Sequence, residues 1–243
     1  MTTTYYIPPD HISGQLVQLP TEEARHAIQV LRHQVGDVIV GVDGVGGWYQ
    51  IELTETSKKH VAGQIVEQKR EMGESTLRLT MAVGLLKNQK RFEVFVEKAC
   101  ELGVSRIIPL RSRRTEKPSV RKDRLEKILI AAMKQCGRSR LVTVDDVMSF
   151  DQMISLNGFG NKLICHEQIS PDNSLLQALP EKSVGGMQDD LLIAIGPEGG
   201  FSSEEIESAE GAGFSVVSLG SRRLRAETAA ITACAGVMLR LDG

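Results

Sequence analysis

Leu191-Leu192-Ile193-Ala194-Ile195-Gly196-Pro197-Glu198-Gly199-Gly200-Phe201-Ser202-Ser203-Glu204-Glu205 is the stretch on which the reading of this chain turns. Its opening aliphatic run predicts a strand buried on both faces, the signature of a parallel sheet. A glycine-rich turn follows, then Ser202 with Glu205 three residues on, the capping box that opens a helix. Gly196, Gly199 and Gly200 permit positive φ and let a backbone approach a ligand closely. In an open α/β sheet, ligands sit at the carboxyl ends of strands, where this turn falls. The turn matches neither the dinucleotide fingerprint nor a Walker loop. From the residues alone it reads equally well as a plain connection.

A second segment has the same build. In Leu219-Gly220-Ser221-Arg222-Arg223-Leu224-Arg225-Ala226-Glu227-Thr228-Ala229 a strand runs into a glycine-bearing loop rich in arginine, then into a helix. An arginine beside a helix start is well placed to hold an anion, although a surface patch is the plain alternative. Two such loops after successive strands converge at one sheet edge and predict a small-molecule pocket. His166-Glu167, after the strand Leu163–Cys165, is placed to line it.

Upstream, strands and helices alternate. Leu77 to Leu86 reads as a strand, and Asn88 to Leu102 as a helix with Phe92, Val96, Ala99 and Leu102 on one face and Gly103 as its stop. Val104 to Leu110 is a strand, and Leu125, Ile128, Leu129, Ala132 and Cys136 mark a further amphipathic helix. Ser215 to Leu219 and Glu227 to Leu239 supply the last strand and a closing helix. The expected class is α/β, a parallel sheet covered on both faces. The amino-terminal part is different. Short runs at 15–19, 38–42, 48–53 and 61–66 predict strands, with one capped helix opening at Thr21 and a tight turn at Asp43-Gly44. They suggest a small β-barrel over residues 1–72, with Gln68 to Ser75 as linker to a domain over 73–243.

Composition narrows the function. The chain has 243 residues, 41% of them hydrophobic, and a net charge of −2. Between Arg111 and Arg140 eleven lysines and arginines face three acids, whereas Glu181 to Glu210 holds eight acids and one lysine. The basic stretch predicts a polyanion contact. With 4% aromatics, a base-stacking sheet surface is not expected. No apolar run reaches membrane-spanning length and no signal peptide is readable, so no membrane partner is expected. Four scattered cysteines fit a reducing cytoplasm, and no metal-ligand spacing is present among cysteines or histidines. Ser202 and Ser203 lack the context of a hydrolase nucleophile.

These segments together resemble the RsmE-type ribosomal RNA methyltransferases, a SPOUT-class family acting on uracil N3 in 16S ribosomal RNA. The likeness runs through nearly the whole chain. It begins with His26-x-x-x-Val30-Leu31-Arg32-x-x-x-Gly36-Asp37 and Asp43-Gly44, continues with Lys98-x-x-Glu101-Leu102-Gly103-Val104-x-x-Ile107-x-Pro109 and Gln135-Cys136-Gly137-Arg138, and ends with the two glycine loops. The chain departs from the pattern at Thr4-Tyr5-Tyr6, where an arginine is usual, at Val142 after Arg140, and at Arg223, usually aliphatic.

The resemblance implies an N-terminal PUA-like β-barrel, a C-terminal SPOUT α/β domain with a deep trefoil knot, and a cytoplasmic homodimer. It implies S-adenosyl-L-methionine held by His166, Ile195, Gly196, Pro197, Glu198, Gly199, Gly200, Leu219, Gly220 and Leu224. Small-subunit ribosomal RNA, naked or in the assembled 30S subunit, would meet Arg32, Arg111, Arg113, Arg114, Lys117, Arg138 and Arg140. Uracil N3 carries a proton, so methylation there requires its loss. Arg225 is the candidate for stabilising the resulting charge, with Glu198 or Glu227 as proton acceptor or as the partner that holds Arg225 or the cofactor. Two alternatives stay open: a non-catalytic RNA-binding protein, and a related enzyme acting on a ribose hydroxyl or a guanine nitrogen.

Overall fold

The computed structural model describes residues 3–57, 60–116, 119–180 and 190–242. The chain divides into two compact units, Met1–Glu74 with Ile130–Leu141, and Ser75–Leu129 with Val142–Gly243.

The first unit is built on β1 (Thr4–Tyr6), β2 (Ile12–Ser13), β3 (Leu16–Gln18), α1 (Thr21–Arg25), β4 (Val38–Val42), β5 (Gly47–Thr56) and β6 (Val61–Arg70). The strands lie in the order β1-β4-β5-β6-β3-β2, antiparallel except for β1 on β4. Alternation puts Tyr5, Val17, Ile39, Ile51, Leu53 and Val61 into one core, with Ala24 from α1 and Ala27 from the π-helical turn His26–Val30 that continues it. Asp43 builds the β4–β5 turn by accepting from the Val45 and Gly47 amides, both at 2.8 Å, and from the Tyr49 hydroxyl at 2.9 Å.

Two local expectations are corrected here. Gln68 to Arg70 belong to β6, not to a linker, because β5 is long enough to pair with them from Gly47 and Trp48. Thr21 is not the helix cap. Pro20 holds that position with no side-chain bond, and its carbonyl accepts from the Ala24 amide.

In the segment Ile130–Leu141 one carboxylate organises the chain after Gly137. Glu74 accepts from Arg138 Nε at 3.1 Å and Nη2 at 2.7 Å, and from the amides of Ser139 and Arg140 at 2.9 and 2.8 Å. Both members of the Arg138–Glu74 pair are buried, at 5% and 6% side-chain exposure.

The second unit contains β7 (Arg78–Gly84), α2 (Gln89–Glu101), β8 (Arg106–Arg111), the first half of α3 (Lys122–Cys136), β9 (Thr143–Val144), β10 (Met148–Ser149), α4 (Phe150–Ile154), β11 (Asn161–Cys165), α5 (Leu175–Ala178), β12 (Asp190–Ile195), α6 (Ser203–Gly211), β13 (Ser215–Val217) and α7 (Ala226–Leu241). Its strands run β10-β8-β7-β12-β11-β13, with β9 beside β8, and every pairing is parallel. One face packs Ala82, Ile108, Leu110, Ile164, Leu192 and Ala194 against Phe150, Phe201, Ile206 and Phe214. The alternate residues Met81, Val83, Ile107 and Ile193 are buried too, and α7 packs on β7, β12 and α2. The expected two-sided α/β sheet is present. Phe92, Phe95 and Val96 are core residues of α2.

Candidate functional site

Three strands end level with one another. Cys165 at the end of β11 pairs with Ile195 of β12 on one side and with Val217 of β13 on the other. The loops that leave them therefore start from one row and enclose a pocket of about 640 Å³. Its walls are Cys165 to Gln168, Ile195 to Phe201 with Ser203, and Ser218 to Ala226 with Ala229, joined by Arg91 and Arg114.

The glycine turn is shaped by close packing. Gly200 donates its amide to the Pro197 carbonyl at 2.8 Å and has φ of 68°. It is the one glycine of the three that needs a left-handed backbone. A Cβ on Gly196 would stand 2.9 Å from Gly200 Cα, and one on Gly84 would stand 2.3 Å from the Pro197 nitrogen, so β7 backs directly onto the turn. Gly199 is tight for another reason: a Cβ there would meet the Arg114 side chain at 3.2 Å. Beyond the turn the capping box forms as expected, with Ser202 and Glu205 each bonding the other's amide. The buried Glu205 also takes the Arg113 amide at 2.8 Å, and Arg114 Nη1 donates to the Gly199 carbonyl at 2.6 Å.

The pocket brings together most of the residues singled out in the sequence. His166, Ile195, Gly196, Pro197, Glu198, Gly199, Gly200, Leu219, Gly220, Leu224 and Arg225 all line it. Glu198 accepts from the Lys87 amide at 3.1 Å. Arg225 stands at the N-cap of α7 with an exposed side chain that makes no cap bond. Glu227 reaches the pocket only through Arg91. It is not part of the pocket wall; its Oε1 lies 3.6 Å from Arg91 Nε, and its buried Oε2 has no hydrogen-bond partner. From the first turn of α7 its side chain is directed at α2. Burial pushes the Cys165 thiol up to about 12, so it stays neutral in the pocket wall.

The basic residues divide. Arg32 is exposed, with φ of 58°, and Arg111 is exposed at the end of β8. Arg113 is 65% exposed, reaching Glu204 at 3.2 Å, whose carboxyl is held below its ordinary range first by Ser202. Arg140 is half exposed and holds Glu71 through Nε and Nη2 at 2.7 and 2.6 Å. Arg138 is a correction: a guanidinium buried on Glu74 is not offered to an RNA phosphate. Lys117 lies outside the described residues, as do residues 181–189 of the acidic stretch.

Arg222 and Arg223, in the loop the sequence pointed to, line the pocket too, and Arg91 and Cys165 do so without having been singled out for it. A signal existed for Arg91. Lys90-Arg91 puts two cations into the first turn of α2, where the helix dipole disfavours them, and Arg91 has Glu227 beside it. No cluster of metal-ligating side chains occurs among the described residues.

Residues 73–238 match the model of the RNA methyltransferase domain, and residues 19–66 that of the RNA methyltransferase PUA domain. The chain belongs to the RNA methyltransferase family of the first model. The ribosomal RNA small subunit methyltransferase E of Rickettsia conorii is 32% identical over 237 residues, covering 96% of this chain and 94% of that protein. Among solved structures, the ribosomal RNA small subunit methyltransferase E of Neisseria gonorrhoeae bound to S-adenosyl methionine superposes with a TM-score of 0.86 at 29% identity, covering 99% of this chain and 98% of that one. A Legionella pneumophila methyltransferase in complex with the same cofactor gives 0.83 at 32% identity and 98% coverage of both chains. The family likeness therefore spans both units.

Proposed function

We propose that this chain, a methyltransferase by family, transfers a methyl group from S-adenosylmethionine to uracil N3 of a uridine in small-subunit ribosomal RNA. The observation that carries the reading is the pocket formed where β11, β12 and β13 end level, in a chain whose relatives are named for that RNA and solved with that cofactor. Its volume of about 640 Å³ falls in the range of roughly 300–1,000 Å³ typical of small-molecule sites. The donor set fits as well. Gly200 and Gly220 have positive φ and no atom within 4 Å of where a Cβ would stand, so bare backbone faces open space. Leu219, Leu224 and Ile195 offer apolar contact for an adenine, and Glu198 offers a carboxylate to a sulfonium. When bound, the cofactor supplies an electrophilic methyl group.

The chain's own residues address the proton on N3. Neutral uracil is a poor nucleophile there, because the nitrogen lone pair is delocalised into both flanking carbonyls. Arg225, exposed at the pocket rim, stabilises charge on a uracil carbonyl as the proton leaves. Glu198, in the pocket wall where Glu227 is not, accepts that proton. Arg32, Arg111 and Arg113 bind phosphates of the RNA, whether naked or within the 30S subunit. The amino-terminal PUA-like domain, residues 1–72 on the sequence boundary, shares the RNA contact, and residues 73–243 form the SPOUT domain. The deep trefoil knot of that class belongs to this reading of the domain. The chain works in the cytoplasm as a homodimer.

Tritiated methyl transfer to purified small subunits, followed by mass spectrometry of the nucleosides, tests the reading. The expected product is 3-methyluridine. A methylated ribose or guanine would replace it with a related enzyme, and no heat on titration with S-adenosylmethionine would leave a binding protein.

A further inference from the structure

The glycine turn is held from outside by a residue of the basic segment, and that contact has a consequence for the pocket. Two observations converge on Arg114. Its Nη1 donates to the Gly199 carbonyl at 2.6 Å. Its aliphatic stem lies flat on Gly199, so that an added Cβ would sit 3.2 Å from both Arg114 Cβ and Cδ. Gly199 has an ordinary backbone φ, so its lack of a side chain is accounted for by the arginine lying over it. The neighbouring residue is fixed independently: the Arg113 amide donates to Glu205, whose other oxygen takes the Ser202 amide at the far end of the same turn. The loop Ser112–Glu116 thus grips the turn at two points, one through backbone and one through the Arg114 side chain.

We propose that Arg114 is a positioning residue of the cofactor pocket, setting the conformation of Pro197–Gly200 through the Gly199 carbonyl. The inference rests on the reading of this pocket as the S-adenosylmethionine site. Two adjacent glycines lose more conformational freedom on ordering than any other pair. A bidentate grip, guanidinium on the carbonyl and methylenes on the Cα, removes part of that freedom before ligand arrives. A charge-assisted hydrogen bond of this kind is worth about tenfold in an equilibrium constant. The same turn carries Glu198, so its shape also sets where that carboxylate stands.

The test is calorimetric titration of the full chain with S-adenosylmethionine in the absence of RNA. Arg114→Ala should weaken binding about tenfold. The melting temperature should fall by only a few degrees, because one exposed contact is lost and no core residue is touched. In turnover assays the KM for cofactor should rise, and kcat at saturation should fall as well, because the loosened turn also carries Glu198. Arg121→Ala, an equal loss of charge in the same basic segment, should leave cofactor affinity alone. Gly199→Ala should reproduce the loss, and the double variant should be no worse than the weaker-binding single, since both break one contact. Unchanged affinity in Arg114→Ala, or strictly additive losses in the double variant, would overturn the inference. If the unaltered chain gives no heat with the cofactor, it is the proposed function that fails instead.

Discussion

Replacing Arg138 with methionine separates a structural arginine from an RNA-binding one. Arg138 and Glu74 are 5% and 6% exposed, and the guanidinium gives Glu74 two of the four hydrogen bonds it accepts. Removing one partner of a buried pair costs about 3–5 kcal/mol, because a charge is left behind in low dielectric. Here the Ser139 and Arg140 amides still reach the carboxylate, which argues for the lower end, about 3 kcal/mol. For a chain of this size that corresponds to a fall of about 6–12 °C in Tm if the chain melts in one transition. Differential scanning calorimetry of Arg138→Met reads it directly. Adding Glu74→Gln should recover part of the loss, since the amide oxygen still accepts from both backbone groups and no charge is buried. The slope of RNA affinity against salt should not change in Arg138→Met, because this cation is not available to phosphate. An unchanged Tm with a salt slope reduced by about 0.7 would refute the reasoning and return Arg138 to the RNA surface.

Three further outcomes are expected. Gly84→Ala should lower cofactor affinity more than ten-fold or abolish folding of the second unit, because its Cβ would meet the Pro197 nitrogen at 2.3 Å; titration calorimetry beside a circular dichroism spectrum distinguishes the two. Arg225→Ala should bind cofactor nearly normally yet lose kcat by about a hundred-fold or more, as expected for a group acting on charge that develops in the transition state; weak cofactor binding with normal kcat would contradict this. Tyr5 and Tyr49 are both pushed up to about 12, chiefly by burial, so the folded state keeps protons that the unfolded chain gives up near 10. Their contribution to stability is complete below about pH 10 and is lost toward pH 12, and Tyr49→Phe should flatten that part of a pH–denaturation curve.

The α/β architecture was legible because its signals are local and redundant. The Leu191–Ile195 run, the Ser202–Glu205 capping box and the Asn88–Gly103 helix each form as their residues predict. The pocket was legible from its loops for the same reason: strand ends followed by glycine and arginine converge wherever parallel strands end level. What the residues could not carry was non-local. The reach of β6 to Arg70 is set by the length of its partner β5. The tight space over Gly199 comes from an arginine eighty-five positions away in sequence. Glu227 is only two residues from Arg225, yet that half turn of helix directs it to Arg91 of the pocket wall instead of into the pocket itself.

The basic segment shows most clearly why charge counts mislead. Eleven cations between Arg111 and Arg140 read as a single polyanion surface. In the structure several already have carboxylate partners: Arg113 with Glu204, Lys122 with Asp146, Arg124 with Glu93, Lys134 with Glu23, Arg138 with Glu74 and Arg140 with Glu71. These pairs differ in what they leave for RNA. An exposed pair such as Lys122–Asp146 is worth little and exchanges its carboxylate for a phosphate at small cost. A buried bidentate pair such as Arg138–Glu74 cannot, because releasing the arginine would strand Glu74. Arg114 is different again, with its bond to a neutral carbonyl in the pocket wall. On the proposed reading, the cations of this segment that can meet phosphate are the exposed ones at the carboxyl end of β8 and in the loop after it. The net charge of the segment predicts the attraction; the pairing pattern decides which part of it can be used.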